Sequence, residues 1–371
     1  MTHAATWHHA ASNGTARAGV LSLTHGRVET PTFMPVGTRG AVKGLDAADV
    51  WSVGARMLLA NTYHLMLRPG AETVAALGGL HGFIGWDGPI LTDSGGYQVF
   101  SLSPTVDEDG ASFRSTYDGS PVRLTPEESM RVQQLLGADV AMVFDVLVGL
   151  PNERPVVEAA MERTIRWSER ALAAHSRPDQ ALFGIVQGGV DPGLRVVSAR
   201  RTTALGFSGF GIGGLAVGET PDERNRTLEV TFAELPPSAP RYVMGLGDPE
   251  GVIEAVARGA DLFDCVWPTR LARHGRVFTA DGDYNLRRAE YGRDSRPPAE
   301  ECACHTCATV SRGYLRHLLV TNELTVFRLL SIHNLHYTLG LLAGARAAIL
   351  RGEFGRFVAE FRARRRGEPS R

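Results

Sequence analysis

Short apolar runs, most of them ending at glycine, aspartate or asparagine, recur along the chain with helix-like stretches between them. Seven are Thr32–Gly37, Arg56–Thr62, Pro89–Gly96, Val140–Asp145, Leu182–Gly189, Gly209–Gly214 and Tyr242–Gly247; Asp261–Arg270 is the eighth. Runs that are apolar throughout, rather than alternating, predict strands covered on both faces, as in a parallel sheet. Thr125-Pro126-Glu127-Glu128 predicts a helix start, with Thr125 as N-cap, Pro126 in the first turn and Glu128 closing a capping box. Val156 to Ala174 carries apolar residues at helical spacing. Strands alternating with helices in this number predict an α/β fold, a (β/α)8 TIM barrel; a doubly wound open sheet is the competing architecture.

Two segments fall outside the alternation. Phe113–Leu124 predicts a hairpin with Asp118-Gly119 at its turn, inserted after the third strand. Residues from about 277 to 340 form the other, a subdomain with a cysteine cluster. The expected organisation is one catalytic barrel over residues 1–371, with an N-terminal β extension and these two additions.

In a (β/α)8 barrel the active site lies at the C-terminal ends of the strands. Those ends carry Asp93, Asp145, Gln187, Gly214, Met244 and Asp264. The last run is the most informative. It carries Asp264 in its middle, reads as a buried strand that delivers this acid to its exit, stops at Pro268, and runs into Arg270 and Arg273. A carboxylate at a strand exit beside arginines suits catalysis on an anionic substrate. The alternative is that Asp264 caps a turn or pairs with Arg270.

The chain has 371 residues, 43% of them hydrophobic, enough for a large core. It has no apolar stretch of membrane-spanning length and no signal-peptide pattern at Met1–Trp7, so a cytoplasmic protein is expected. The net charge of -1 gives no overall field for nucleic acid. The basic residues are nonetheless almost all arginine, Lys43 being the only lysine. They gather locally: Arg270, Arg273 and Arg276; Arg287 and Arg288; Arg362, Arg364, Arg365 and Arg366. Such clusters on a near-neutral protein suit RNA binding at one face.

Three of the four cysteines lie together as Cys302, Cys304 and Cys307. Without a secretory signal, clustered thiols point to a metal rather than to disulfides. Three thiolates need one more ligand for a closed tetrahedral Zn2+ site, and His305, His317, His333 and His336 are the candidates. Cys265 belongs to the Asp264 strand and is not expected to be a ligand.

Several motifs together resemble the bacterial tRNA-guanine transglycosylases, or queuine tRNA-ribosyltransferases. They are Thr92-Asp93-Ser94-Gly95-Gly96-Tyr97-Gln98, Val186-Gln187-Gly188-Gly189, Ile212-Gly213-Gly214-Leu215-Ala216-Val217-Gly218-Glu219, Met244-Gly245-Leu246-Gly247 and Phe263–Arg270. The cysteine cluster followed by His333 also matches, and the resemblance runs from about Arg17 to Phe357. It implies exchange of the wobble guanine, position 34 of tRNAs with GUN anticodons, for the 7-deazaguanine preQ1, a step in queuosine biosynthesis. It implies that Asp264 is the nucleophile on the ribose and Asp93 the general acid/base. Base binding would fall to Asp145, Gln187, Gly214 and Leu215, within a pocket that includes Ser94, Gly95 and Gly96. Tyr97 and Met244 would sandwich the base, and Glu219 would face the preQ1 ammonium. RNA contacts would come from Gly245-Leu246-Gly247-Asp248-Pro249-Glu250-Gly251 and Thr269-Arg270-Leu271-Ala272-Arg273. His333 would complete a structural site for one Zn2+ per chain, and the enzyme would be a homodimer.

The family's chemistry agrees with these residue types. Glycosidic cleavage develops positive charge on the ribose, which a carboxylate stabilises and then traps. A second carboxylate serves as acid in one half and as base in the other. One departure stands out. Many bacterial members follow the base-reading Asp with an acidic residue and a cysteine, whereas Asp145 is followed by Val146 and Leu147. Queuine salvage is therefore the runner-up to preQ1. A non-catalytic tRNA-binding subunit is a further reading, which the retention of Asp93 and Asp264 opposes. A zinc hydrolase would need metal ligands at strand ends, and the cysteines lie far from them in sequence.

Overall fold

The computed structural model describes residues 4–367. All the predicted runs become strands: Leu58–Ala60, Ile90–Thr92, Val140–Met142, Ala181–Val186, Gly209–Ile212, Arg241–Val243 and Leu262–Asp264 follow a first strand split into Thr32–Met34 and Val36–Gly37. The split falls at Pro35, which has no N–H for the ladder. The first half pairs with the last strand, Met34 opposite Asp264, and the second half pairs with its successor, Gly37 opposite Ala60. Every neighbouring pair is parallel, and the two pairings of the split first strand close the sheet on itself. This is a closed eight-stranded (β/α)8 barrel, not an open sheet. Its strands are buried along almost their whole length, with Phe33, Phe183, Phe210 and Phe263 among the fully enclosed side chains.

Proline opens several of the barrel helices, including Pro126–Leu136, Pro192–Ala204, Pro221–Glu234 and Pro249–Ala257. There its fixed φ helps and its missing N–H costs nothing. The predicted Thr125 cap forms, its Oγ1 accepting from the Glu128 N–H at 3.1 Å. The reciprocal half of the box does not, because both Glu128 oxygens are engaged by Arg131. A complete capping box occurs instead at Thr220 and Glu223. The predicted helix runs over Arg154–Ala174.

Three antiparallel strands, Thr6–Asn13, Ala16–Leu23 and Gly26–Thr30, form the N-terminal extension. It lies at the strand-start end of the barrel. Arg17 pairs there with the buried Asp261, and the His25 N–H donates to Asp139 Oδ1 at 2.8 Å. The opposite end is left for a site. The predicted hairpin forms from Ala111–Arg114 and Pro121–Leu124, with Thr105–Val106 as a third strand. Its loop spans residues 115–120, longer than a two-residue turn, with Asp118 Oδ1 accepting from the Ser120 N–H.

The last long element, Leu324–Leu350, is apolar around much of its circumference. Such a helix must be covered on several sides. It packs on the Trp267–Arg273 helix, on the N-terminal strands and on the short helix of the cysteine cluster. Among the described residues no helix is long and apolar enough to cross a membrane.

Candidate active site

A cavity of about 500 Å3 opens at the C-terminal ends of the strands. Asp93, Asp145, Leu215, Met244 and Asp264 all line it. A larger hollow of about 870 Å3 lies beside the cysteine cluster. It holds none of the strand-end acids, so the smaller cavity is the one equipped for chemistry.

Asp93 follows the third barrel strand. Its Oδ1 accepts from the backbone N–H of Thr62 at 2.9 Å and of Gly95 at 3.1 Å, and its Oδ2 from the Asn61 side chain. An edge of the carboxyl faces the cavity, yet protein encloses it deeply. Burial outweighs these hydrogen bonds, and with the nearby Asp264 charge it pushes the Asp93 pKa up to about 7. That rise is worth roughly 4 kcal/mol against ionisation.

Asp264 ends the eighth strand. Its Oδ1 accepts from the Tyr242 hydroxyl at 2.5 Å and the Gly245 N–H at 2.8 Å. Both donors hold one oxygen, while Oδ2 has no hydrogen bond among the described residues. Burial raises the Asp264 pKa, and these two donors work against the rise.

The wall between these acids is polar and crowded. Asp145 Oδ2 accepts from Gln187 Nε2 at 2.6 Å, and its Oδ1 from Ser94 Oγ at 3.2 Å. Gly214 has φ +69°, and a Cβ there would stand 2.5 Å from Gln187 Oε1; at Gly96 it would stand 2.5 Å from Asp145 Oδ1. Glycine is therefore required at both positions for the acid and the amide to meet. Burial raises the Asp145 pKa, and its two side-chain donors oppose this. Met244 and the 60% exposed Tyr97 also border the cavity.

The next loop is tied to the chemistry by its backbone. Gly245 binds Asp264, and Leu246 is buried. A Cβ on Gly247 would collide with Cys265. Asp248 caps the following helix by accepting from the Gly251 N–H at 2.6 Å; Pro249 and Gly251 are buried and Glu250 pairs with Arg365. In the Trp267–Arg273 helix, Thr269 and Ala272 are buried, Leu271 is half-buried, and Arg270 is exposed at the cavity edge. Arg273 donates to the Thr269 carbonyl at 3.0 Å.

Away from the cavity, His333 Nδ1 lies 3.7, 3.6 and 3.2 Å from the sulfurs of Cys302, Cys304 and Cys307. His333 Nε2 lies 2.8 Å from the Phe278 carbonyl, which fixes the proton there and leaves Nδ1 free to ligate. A tetrahedral Zn2+ sets such ligand atoms roughly 3.3–3.8 Å apart. The donor set and its spacing fit a closed metal site. His305, His317 and His336 are not part of this group.

A family model described as queuine tRNA-ribosyltransferase matches residues 12–367. The chain belongs to the queuine tRNA-ribosyltransferase (tRNA-guanine transglycosylase) family. A queuine tRNA-ribosyltransferase of Desulforamulus reducens is 52% identical over 336 residues, covering 90% of this chain and 91% of the relative. One of Thermus thermophilus is 51% identical over 356 residues, 95% of this chain and 92% of its own. One of Nitrosomonas europaea is 51% identical over 348 residues, 93% and 94% respectively.

For a transglycosylase-family chain, three site residues escaped the sequence reading: Asn61, Tyr242 and Arg195. Tyr242 lies inside an apolar strand and reads as core until its hydroxyl is seen on Asp264. Arg195 is fully buried and forms no ion pair with a carboxylate among the described residues. It donates to the carbonyls of Val186, Gly189 and Gly213 at 2.8, 2.7 and 2.8 Å, tying together the loops that carry Gln187 and Gly214. Burial lowers its pKa to about 9. The unusual pair after Asp145 divides: Val146 packs among Phe144 and Trp167, while Leu147 lines the cavity. Glu219 accepts from the N–H groups of Ala216 and Val217 at 2.6 and 3.1 Å, so its carboxylate braces its own loop.

Proposed function

We propose that this enzyme exchanges the wobble guanine, position 34 of tRNAs with GUN anticodons, for preQ1 through a covalent ribosyl-enzyme intermediate, a step in queuosine biosynthesis. One observation carries the reading: two carboxyls of unlike character border one cavity. Asp264 has an oxygen held by Tyr242 and Gly245, and Asp93 keeps a proton near neutral pH. In the first half, Asp264 Oδ2 attacks the ribose C1′ while the bond to guanine breaks. The electron pair leaves on the base, which takes the Asp93 proton. In the second, Asp93 accepts the proton of the incoming base, whose nitrogen attacks C1′ and frees Asp264. Microscopic reversibility requires the same group to serve both ways.

Asp145 accepts the ring N–H and amino donors of the base. Gln187 keeps one amide hydrogen on Asp145 and offers the other to the base oxygen, with the N–H of Gly214 or Leu215 beside it. Tyr97 and Met244 clamp the ring, as expected for a base taken out of its stack. Arg270 and Arg273, with the Gly245–Gly251 loop, hold the flanking RNA. Replacing Asp264 by Asn tests the chemistry: the covalent RNA adduct on a denaturing gel should vanish while tRNA binding persists. An adduct with that variant would remove Asp264 from the role.

Queuine salvage remains the second reading because Leu147 replaces the family's usual cysteine. Leu147 and Val217 both border the cavity, and their branched side chains would narrow the room for queuine's cyclopentenediol. Overpacking of this kind costs about 1–3 kcal/mol, which favours preQ1. Competition of preQ1 and queuine for one tRNA decides it, and a higher kcat/KM for queuine would reverse the assignment.

Cys302, Cys304, Cys307 and His333 would hold one Zn2+ as a structural crosslink within the subdomain of the single catalytic domain. Homodimer formation is supported by the exposed Tyr314, Val320 and Leu324 in one stretch beyond the cysteines; light scattering tests it. A tRNA substrate and reduced thiols support a cytoplasmic location.

A further inference from the structure

If the base lies where Asp145, Gln187 and Gly214 project, it occupies the arc of the barrel from the fourth to the sixth strand. The ribose then sits between Asp93 on the third strand and Asp264 on the eighth. The RNA backbone can then leave over the arc formed by the eighth, first, second and third strands. Arg270 follows the eighth strand and stands at one side of that exit. The loops after the first, second and third strands supply the other side.

Those loops bring together Arg39, His64, Arg68 and Tyr117. The Arg39 guanidinium stands 5.3 Å from the centre of the Tyr117 ring and that of Arg68 4.7 Å. The Tyr117 hydroxyl lies 3.1 Å from His64 Nδ1. Many arginines of this chain pair with carboxylates, as Arg131, Arg166 and Arg170 do. Arg39 and Arg68 are both exposed, neither forms an ion pair with a carboxylate among the described residues, and both guanidinium groups lie against the one aromatic ring they share. Two like charges on one ring, with no acid between them, repel each other unless an anion joins them. A guanidinium pair held by an aromatic plane presents forked donors suited to phosphate oxygens. Burial and the Arg39 charge lower the His64 pKa, and the hydrogen bond between its Nδ1 and the Tyr117 hydroxyl fixes the ring beside both arginines.

We propose that Arg39 and Arg68, seated on Tyr117, form a phosphate site for the substrate RNA strand, across the reacting nucleotide from Arg270. This rests on the transglycosylase reading for the position of the ribose, though not for the anion chemistry of the cluster.

The test uses the full chain and an anticodon stem-loop RNA with a wobble guanine. Binding is measured by anisotropy over a salt series for the wild type and for the Arg39→Gln/Arg68→Gln double variant. The double variant should bind about tenfold or more weakly, and its slope of log K against log salt should fall by about 1–2. Its KM for tRNA should rise while its KM for preQ1 and its melting temperature stay put, which a merely structural role would not give. Lysine at both positions should restore part of the affinity. Should the double variant melt early, Arg39→Gln alone, at an exposed side chain, gives the same readout at half the slope change. Wild-type affinity and salt slope in the variants would overturn the proposal. A wild type that binds RNA salt-dependently but exchanges no guanine would instead overturn the transglycosylase reading and leave the phosphate site standing.

Discussion

The hydroxyl of Tyr242 donates to Oδ1 of Asp264 at 2.5 Å, one strand across the barrel floor from the acid it holds. Tyr242 is itself buried, and burial together with the Asp264 charge keeps its proton on far above neutral pH. It is therefore a permanent donor to Asp264, and in the proposed reaction it would align the carboxylate for attack by Oδ2.

Tyr242→Phe should leave the fold intact and slow adduct formation. A hydrogen bond to a charged group contributes about 1.5–3 kcal/mol, or roughly ten- to a hundredfold in rate. Single-turnover trapping of RNA measures this. An unchanged rate would mean that the Gly245 N–H suffices to orient the acid.

Asp93 links pH to both stability and rate. Its folded pKa, about 7, exceeds the unfolded value of 3.8. Below the lower value the acid is protonated in both states and costs nothing. Through the window between them the unfolded chain ionises first, so stability falls as pH rises, and the full cost is reached above about 7. Asp93→Asn should therefore melt higher than the wild type at about pH 8 and alike at about pH 3. The kcat/KM for tRNA should fall on the alkaline side as the Asp93 proton is lost. A melting difference of opposite sign would contradict the assignment.

Cys304→Ala should reduce bound zinc well below one ion per chain and lower the melting temperature, because structural metal contributes folding free energy. Metal analysis and calorimetry check this. Since the four ligands stand apart from the catalytic cavity, zinc loss should reduce activity only as far as it reduces folded protein. A chelated enzyme that melts normally would remove the structural role.

Arg195→Met keeps much of the volume and removes the donors to three strand-end carbonyls. Leaving such groups buried and unpaired should cost roughly 3 kcal/mol or more. Where the variant still folds, KM for the free base should rise more than KM for tRNA, because the loops of Gln187 and Gly214 lose their common anchor. Equal effects on both constants would reduce Arg195 to a general stabiliser.

The sequence by itself determined the alternation of strands and helices, the strand-end residues and the cysteine cluster. Each is written in local pattern: apolar runs such as Leu182–Val186 have only one sheet environment that covers both faces, and Cys302, Cys304 and Cys307 are close in the chain before it folds. Closure of the sheet was not written locally. It depends on Met34 meeting Asp264 across more than half the chain. Tyr242, Asn61 and Arg195 gained their roles the same way. Each looks like an ordinary core or cap residue in its own segment, and only packing sets its polar atoms against a carboxylate or a set of carbonyls. Glu128 marks the converse case, where local pattern predicted a capping box and Arg131, one turn along the same helix, took the carboxylate instead. Arg39 and Arg68 come from successive loops, and only the tertiary structure decided that they share Tyr117, because the arc of a closed barrel places those loops side by side.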